Sequence, residues 1–379
     1  MAGEDRSTSD DGMREWLQRK IDQRVRLYPS PPPGFDATRA SPDQLVTYGL
    51  PQRPDAVLNR RLHDFWMKMF KPPLRFIRPE LQGKAQLRHL LREGSPGAGS
   101  KALAFCPSRW GTSRNWSGAV ITARDSMLFR TVAGSWKVPK PKPPAGASAM
   151  QPPPGNAWQC SVWVGFDGFH RWSVSLPQMG TVSEVDIKGN VLQPGTYAFC
   201  QWWVRGQSYG EVRIANMPIE PKDKIFCMLT AQGPTDVHFA MTNRTKKHSV
   251  SLSWAAGEVE QDPAKLDRSE APLEGRTAVW CVERPLTMPV GTEAPMLYRL
   301  PKIGKVRFKE ALAEMRDPAN PATPPVPRDL TAARLLRMVG SAKDNAPPRS
   351  IALTSPAAPA TGGSSLTIRQ EPYPPDAVP

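Results

Sequence analysis

The 379-residue sequence holds few residue patterns that could do chemistry. It has no GxSxG, no HExxH, no GxxxxGK[ST], and no GxGxxG after a strand. That removes the serine-hydrolase elbow, the zinc-peptidase helix and the phosphate cradles. Five cysteines (Cys106, Cys160, Cys200, Cys227, Cys281) sit at long spacings with no CxxC. An odd count without close pairs fits neither a zinc site nor a full disulfide framework. Four of them lie in apolar stretches, where reduced Cys acts as a small hydrophobe. The histidines show no metal-ligand spacing, and His170 reads as a surface residue. What stands out is a series of aromatic strings carrying single amides and carboxylates. They are RNWSGAV (114–120), GSWKVP (134–139), SVWVGFDG (161–168), LPQMG (176–180), CQWW (200–203) and AVWCVE (278–283). Taken alone, the Gln of LPQMG reads as a turn residue, and the Glu of AVWCVE as the solvent-facing end of a strand.

Such strings need a frame. From Asn115 onward, runs such as TVAGSWKV, TYAFCQWWV, KIFCML, VHFAMT, HSVSLSW and TAVWCVE alternate with turn residues. About ten strand-like runs without an intervening helix predict an antiparallel sandwich or barrel. Parallel sheet would need crossover helices. Residues 106–288 therefore read as one β-sandwich. Residues 1–105 read as a Pro-interrupted helical extension. Its first helix carries Met13, Trp16, Leu17, Ile21 and Val25, its second runs through Val57–Met69, and a third spans Leu81–Leu91. Helical spacing of the apolar residues and the SPPPG and KPP breakers support this. GSPGAGS (94–100) reads as a linker. Residues 289–379 read as a tail with short helices at 305–316 and 328–339, the second capped by Asp329. Its last forty residues are too rich in Pro, Ala, Ser and Gly to offset ordering entropy.

The formal net charge is +15. Residues 1–105 carry 18 basic and 12 acidic groups, 106–288 carry 20 and 15, and 289–379 carry 12 and 8. An excess spread this evenly argues for a solvated basic surface. A nucleic-acid binder gathers its basic residues on one face. No stretch approaches the ~20 apolar residues that span a bilayer. The acidic, polar start is unlike a signal peptide, so a cytoplasmic location is the default expectation.

Taken in order over residues 113–286, the six strings resemble the glutamic peptidases, the eqolisin family. That resemblance implies two stacked antiparallel sheets of lectin-like form and peptide-bond hydrolysis without a cofactor or metal. It puts the catalytic amide on Gln178 and the catalytic carboxylate on Glu283. A glutamate can act as base toward water and as acid toward the leaving amine. A neutral amide can donate to the tetrahedral oxygen. The resemblance also puts Trp116, Trp163 and Asp167 along the substrate groove, and reads Asp223 as a structural turn residue. Gln201 stands where the family has a glutamate, Met179 where it has Thr, and Val279 where it often has a polar residue. The groove is thus expected to have lost negative charge, which would move an acid pH optimum toward neutral. A polypeptide substrate, a monomer, and a basic pro-segment within residues 1–105 complete the expectation. The rival readings are an inactive lectin-like module binding peptide or carbohydrate, and a basic scaffold for a polyanion.

Overall fold

The computed structural model describes residues 15, 18–19, 21–83, 87–88, 110–205, 211–256, 258–262, 267–287, 296–341, 350–357 and 363–371. In chain order the strands that build it begin with β1 (Val25–Leu27), β2 (Arg75–Phe76), β3 (Leu81–Gly83), β4 (Trp110–Ser113), β5 (Trp116–Thr122) and β6 (Leu128–Lys137). The middle of the chain adds β7 (Ala157–Phe166), β8 (Ser175–Lys188), β9 (Val191–Val204), β10 (Val212–Ile214), β11 (Lys224–Ala231), β12 (Asp236–Asn243), β13 (His248–Ala255) and β14 (Thr277–Glu283). The last six are β15 (Lys305–Phe308), β16 (Leu312–Arg316), β17 (Val326–Arg328), β18 (Arg334–Ser341), β19 (Ser350–Pro356) and β20 (Leu366–Gln370).

They form two sheets, antiparallel except for the pairs β2–β13 and β4–β18. The first runs β1-β13-β12-β11-β6-β16-β17. The second runs β15-β20-β19-β18-β5-β14-β7-β8-β9-β10-β3. This is the two-sheet antiparallel architecture expected from the strand spacing. Strict alternation explains how each strand serves two faces. On β14, Ala278, Trp280 and Val282 enter the core between the sheets, while Val279, Cys281 and Glu283 face away from it. The core is completed by Trp136, Phe239 and Trp254 of the first sheet and Val162, Val164 and Trp202 of the second.

The N-terminal extension covers the outer face of the first sheet. A short helix, α1 (Pro42–Thr47), precedes α2 (Arg60–Phe70). Asn59 caps α2 by accepting from Leu62 N. Its buried stripe Leu62, Phe65, Trp66, Met69 and Phe70 has the spacing of one helical face. That stripe packs on Phe226, Met228 and Ala240. Lys71-Pro72-Pro73 ends the helix, as proline must. The expected second helix is therefore present. The first is helical at each of its described residues up to Arg24 (15, 18, 19 and 21–24), after which Val25–Leu27 pairs with β13. The third is absent from its described residues, which are extended at Leu81–Gly83 and Leu87–Arg88. The linker at 94–100 and Cys106 lie outside the described residues.

The largest correction concerns the C-terminal region. Residues 305–316 and 328–339 are strands, not helices, and β19 and β20 order part of the stretch expected to stay unfolded. On β16 the apolar residues sit on both faces, as a buried strand requires, while β15 buries only Val306 and Phe308. Leu312 faces the extension while Ala313 and Met315 enter the core. Asp329 does cap, but only a single 3-10 turn at Leu330–Ala332. Strands from before residue 105 and after residue 288 thus extend the same two sheets.

Candidate active site

The outer face of the second sheet carries the candidate residues. Strand register fixes their arrangement. Glu283 on β14 lies opposite Trp116 on β5 and Ser161 on β7. Gln178 on β8 lies opposite Gly165 on β7 and Gln201 on β9. The two therefore share one face, two strands apart, and are offset along the strands by the step from Ser161 to Gly165. Trp163 and its partner Gly180 occupy the ground between them.

Glu283 is fully buried, and the Trp163 indole N–H donates to its Oε2 at 2.7 Å. Trp116 meets Trp163 edge-on, with ring centroids 5.0 Å apart. The two tryptophans thus wall the carboxylate. Gln178 is fully buried as well, and its Nε2 donates to Gln201 Oε1 at 3.2 Å. Only one N–H of that amide is used, so the other remains able to donate. Gln178 Oε1, Gln201 Nε2, Ser161 Oγ and Trp116 Nε1 are buried without a hydrogen-bond partner. Native structures contain few such atoms, and a cluster of them needs a reason. Close approach of the strands is part of the design. A Cβ at Gly165 would come within 2.6 Å of Pro177 O, and one at Gly180 within 2.1 Å of Val162 O.

Gln178, Glu283, Trp116, Trp163 and Gln201 all lie on this face, as two contacting groups, Glu283 with Trp163 and Trp116, and Gln178 with Gln201. Asp167 does not join them. Its backbone is left-handed (φ 59°), and both its oxygens accept from the backbone. Oδ2 takes Glu274 N and Gly275 N at 3.0 and 2.8 Å, and Oδ1 takes Arg276 N and Thr277 N at 2.8 and 3.1 Å. It clamps the segment that feeds β14, at the opposite end of that strand from Glu283. Burial, with Glu274 nearby, pushes its carboxyl up to about 7 against the pull of those N–H groups. Asp223 is a turn residue as expected, accepting from Glu220 N and Asn243 Nδ2. Cys160, Cys200, Cys227 and Cys281 are buried free thiols, also as expected, and burial raises all four.

Sequence reasoning missed Glu211. It precedes β10, one step beyond the pairing of Val212 with Cys200, and so falls beside Gln201. It is fully buried, and the Tyr197 hydroxyl donates to its Oε1 at 2.5 Å. Burial, then Glu211, raises the Tyr197 phenol well above its usual value, which keeps it a donor. The expected loss of negative charge from this face is therefore incomplete, because a carboxylate enters from the neighbouring strand. Nothing in GEVRI marks that glutamate, since a Glu at a strand end is ordinarily solvated. Among the described residues no group of three or more His, Cys, Asp or Glu is placed to hold a metal, and no helix is long and apolar enough to cross a membrane.

Fold and site together define a two-sheet β-sandwich with a buried carboxylate and amide on one outer face. A family model described as the Peptidase A4 family matches residues 114–334, more than half of the chain. The chain belongs to that family and is by membership a peptidase. No curated protein matches it. Among solved structures it is similar to scytalido-glutamic peptidase bound to a transition-state analogue inhibitor, at 16% identity and a TM-score of 0.47, over 68% of this chain and 98% of that one. It is also similar to SCP-B of the eqolisin family in complex with the tripeptide Ala-Ile-His, at 16% identity and a TM-score of 0.44 over the same shares. Aspergilloglutamic peptidase from Aspergillus niger follows at 18% identity and a TM-score of 0.37, over 56% of this chain and 99% of that one.

Proposed function

We propose that this protein is an endopeptidase in which Glu283 activates water and Gln178 stabilises the oxyanion. The observation that carries the reading is that both are fully buried on one sheet face, each held by a neighbour, Trp163 and Gln201. In this scheme Glu283 takes a proton from water as the oxygen attacks the scissile carbonyl, then returns it to the departing amine. The spare N–H of Gln178 donates to the carbonyl oxygen as it becomes negative. Gln201 positions that amide, and the indole of Trp163 orients the carboxylate. Trp116 and Trp163 supply the apolar wall for substrate side chains.

With both residues at 0% exposure, substrate reaches them only after some segment leaves this face. Residues 21–77 pack mainly on the other sheet, so their docking is not the obstacle. We extend the proposal to cleavage near Lys101 as the activating event, with the docked extension retained.

The test is digestion of denatured casein from pH 2 to 7 in the presence of pepstatin, before and after a specific cut near Lys101. Pepstatin-resistant cleavage that is lost in Glu283→Gln, and falls about 10²–10³-fold in Gln178→Ala, is expected. Absence of cleavage from both forms would favour a binding module instead. Equal activity before and after the cut would remove the activation step alone.

A further inference from the structure

A cleft of about 350 Å³ opens where the pairing of β5 with β18 ends, at the rim of the sandwich, and both sheets line it. Arg124, Arg328 and Arg334 line it together with Val120, Ile121 and Ala332. No ion pair among the described residues engages any of the three arginines. Three cations facing one cleft repel each other unless an anion joins them. Arg334 is the most constrained. Its Nε is buried without a hydrogen-bond partner, and its guanidinium sits 5.8 Å from the centre of the Phe169 ring. Phe169 and the cleft residue Val120 belong to the same apolar cluster as Trp116, Trp163 and Val279, which ties Arg334 to the face of the candidate site. Room for the guanidinium is left by Gly111, where a Cβ would come within 3.3 Å of Arg334 Nε.

We propose that this cleft receives a carboxylate of the substrate peptide and sets a preference for acidic substrates. The inference rests on the peptidase reading and names the substrate class of that site. Arginine suits the role because its planar fork matches a carboxylate with two parallel hydrogen bonds. The walls from Val120, Ile121 and Ala332 suit the methylenes of a Glu side chain. Position follows from register. Arg334 pairs with Val120, which pairs with Val279, and the same row continues through Gly165 to Gln178. At about 4.8 Å between strands, Arg334 lies roughly 10 Å from the strand of Glu283 and roughly 19 Å from that of Gln178. An extended peptide advances about 3.3 Å per residue, so the carboxylate falls about three to six residues from the cleaved bond. It comes from an acidic side chain or from the free C-terminus.

The test uses the protein after the specific cut near Lys101, with both pieces retained, and paired ten-residue peptides differing only by Glu against Gln at those positions. A second pair carries a free C-terminal carboxylate against an amide there. In either pair the charged member is expected to have the higher kcat/KM by about tenfold, carried mainly by KM and reduced by salt. Arg334→Met, and separately the double change Arg124→Gln with Arg328→Gln, bring the ratio toward one. Which pair shows the preference identifies the source of the carboxylate. Equal kcat/KM within both pairs overturns the proposal. If wild type cleaves neither member, calorimetry with Glu283→Gln decides it. Tighter binding of the charged member, lost in the arginine variants, keeps the cleft assignment and sinks the peptidase reading only. Equal binding overturns the cleft assignment whatever the fate of that reading. Inorganic phosphate that competes with the charged peptide supports the shared site, whereas phosphate bound without competition overturns it.

Discussion

The two sheets present outer faces of opposite character. On the first, Phe65, Trp66 and Phe70 of α2 close over Phe226, Met228 and Ala240. Several polar atoms there are engaged, although His63 Nδ1, Thr230 Oγ1 and His238 Nδ1 are buried without a hydrogen-bond partner. Trp66 Nε1 donates to Pro51 O, Asn59 Nδ2 donates to Glu314 Oε2, and His238 Nε2 meets Gly49 O. On the second, Glu283, Gln178, Gln201, Ser161 and Glu211 are all fully buried, and several of their polar atoms lack partners. Each such atom costs about 1–3 kcal/mol. A face built for stability would have replaced them with apolar groups. The contrast teaches that the first face is closed by aromatic packing, while the second buries carboxylates and amides at a cost in stability.

The largest effect that tests this contrast should come from Glu283→Gln. Proteolytic kcat/KM is expected to fall by about 10²–10⁴-fold while the melting temperature stays level or rises. A similar loss of activity with a large fall in melting temperature would make Glu283 a structural residue. On the other face, Phe65→Ala should cost about 3–5 kcal/mol of unfolding free energy, because its ring packs 5.1 Å from that of Phe226. Its activity per folded molecule should match wild type, and a selective loss of kcat would blur the division.

Acidity gives the third test. Burial holds His238 down to about 4 from 6.5, opposed by its bond to Gly49. The unfolded chain therefore takes up this proton near pH 6.5 and the folded chain only near pH 4. The stability His238 contributes is whole above pH 6.5 and declines as pH falls through 4, by an amount on the order of 3 kcal/mol. Urea midpoints at pH 7 and pH 4 measure it, and His238→Gln should flatten that part of the profile. The smallest effect is expected from Tyr197→Phe. Removing one donor to a buried carboxylate should cost about 1.5–3 kcal/mol. A change in the pH–rate profile of casein cleavage would bring Glu211 into the catalytic chemistry, and an unchanged profile would leave it a structural acid.

Legibility was uneven for physical reasons. The helix at 60–70 was readable because its apolar stripe, cap and proline stop agree with one another. The central strands were readable because period-two alternation with aromatic residues has few other solutions. Residues 312–316 misled because a short strand buried on both faces shows no alternation, whereas 305–308 alternates but over only four residues. Gln178 and Glu283 were found through the strings around them. By themselves they looked like a turn residue and a strand end, yet both are fully buried.

By itself, the sequence determined which residues alternate on each central strand, and hence that Glu283, Cys281 and Val279 share a face. Local periodicity suffices for that, since neighbouring side chains must point to opposite sides. Only the tertiary structure decided which of the two faces is the core, and that Glu211 and Arg334 reach the same surface as Gln178. Those facts depend on pairings between strands far apart in the chain, such as Arg334 with Val120 and Val212 with Cys200. Such register is set by packing the whole sheet and leaves no mark in any short stretch of sequence.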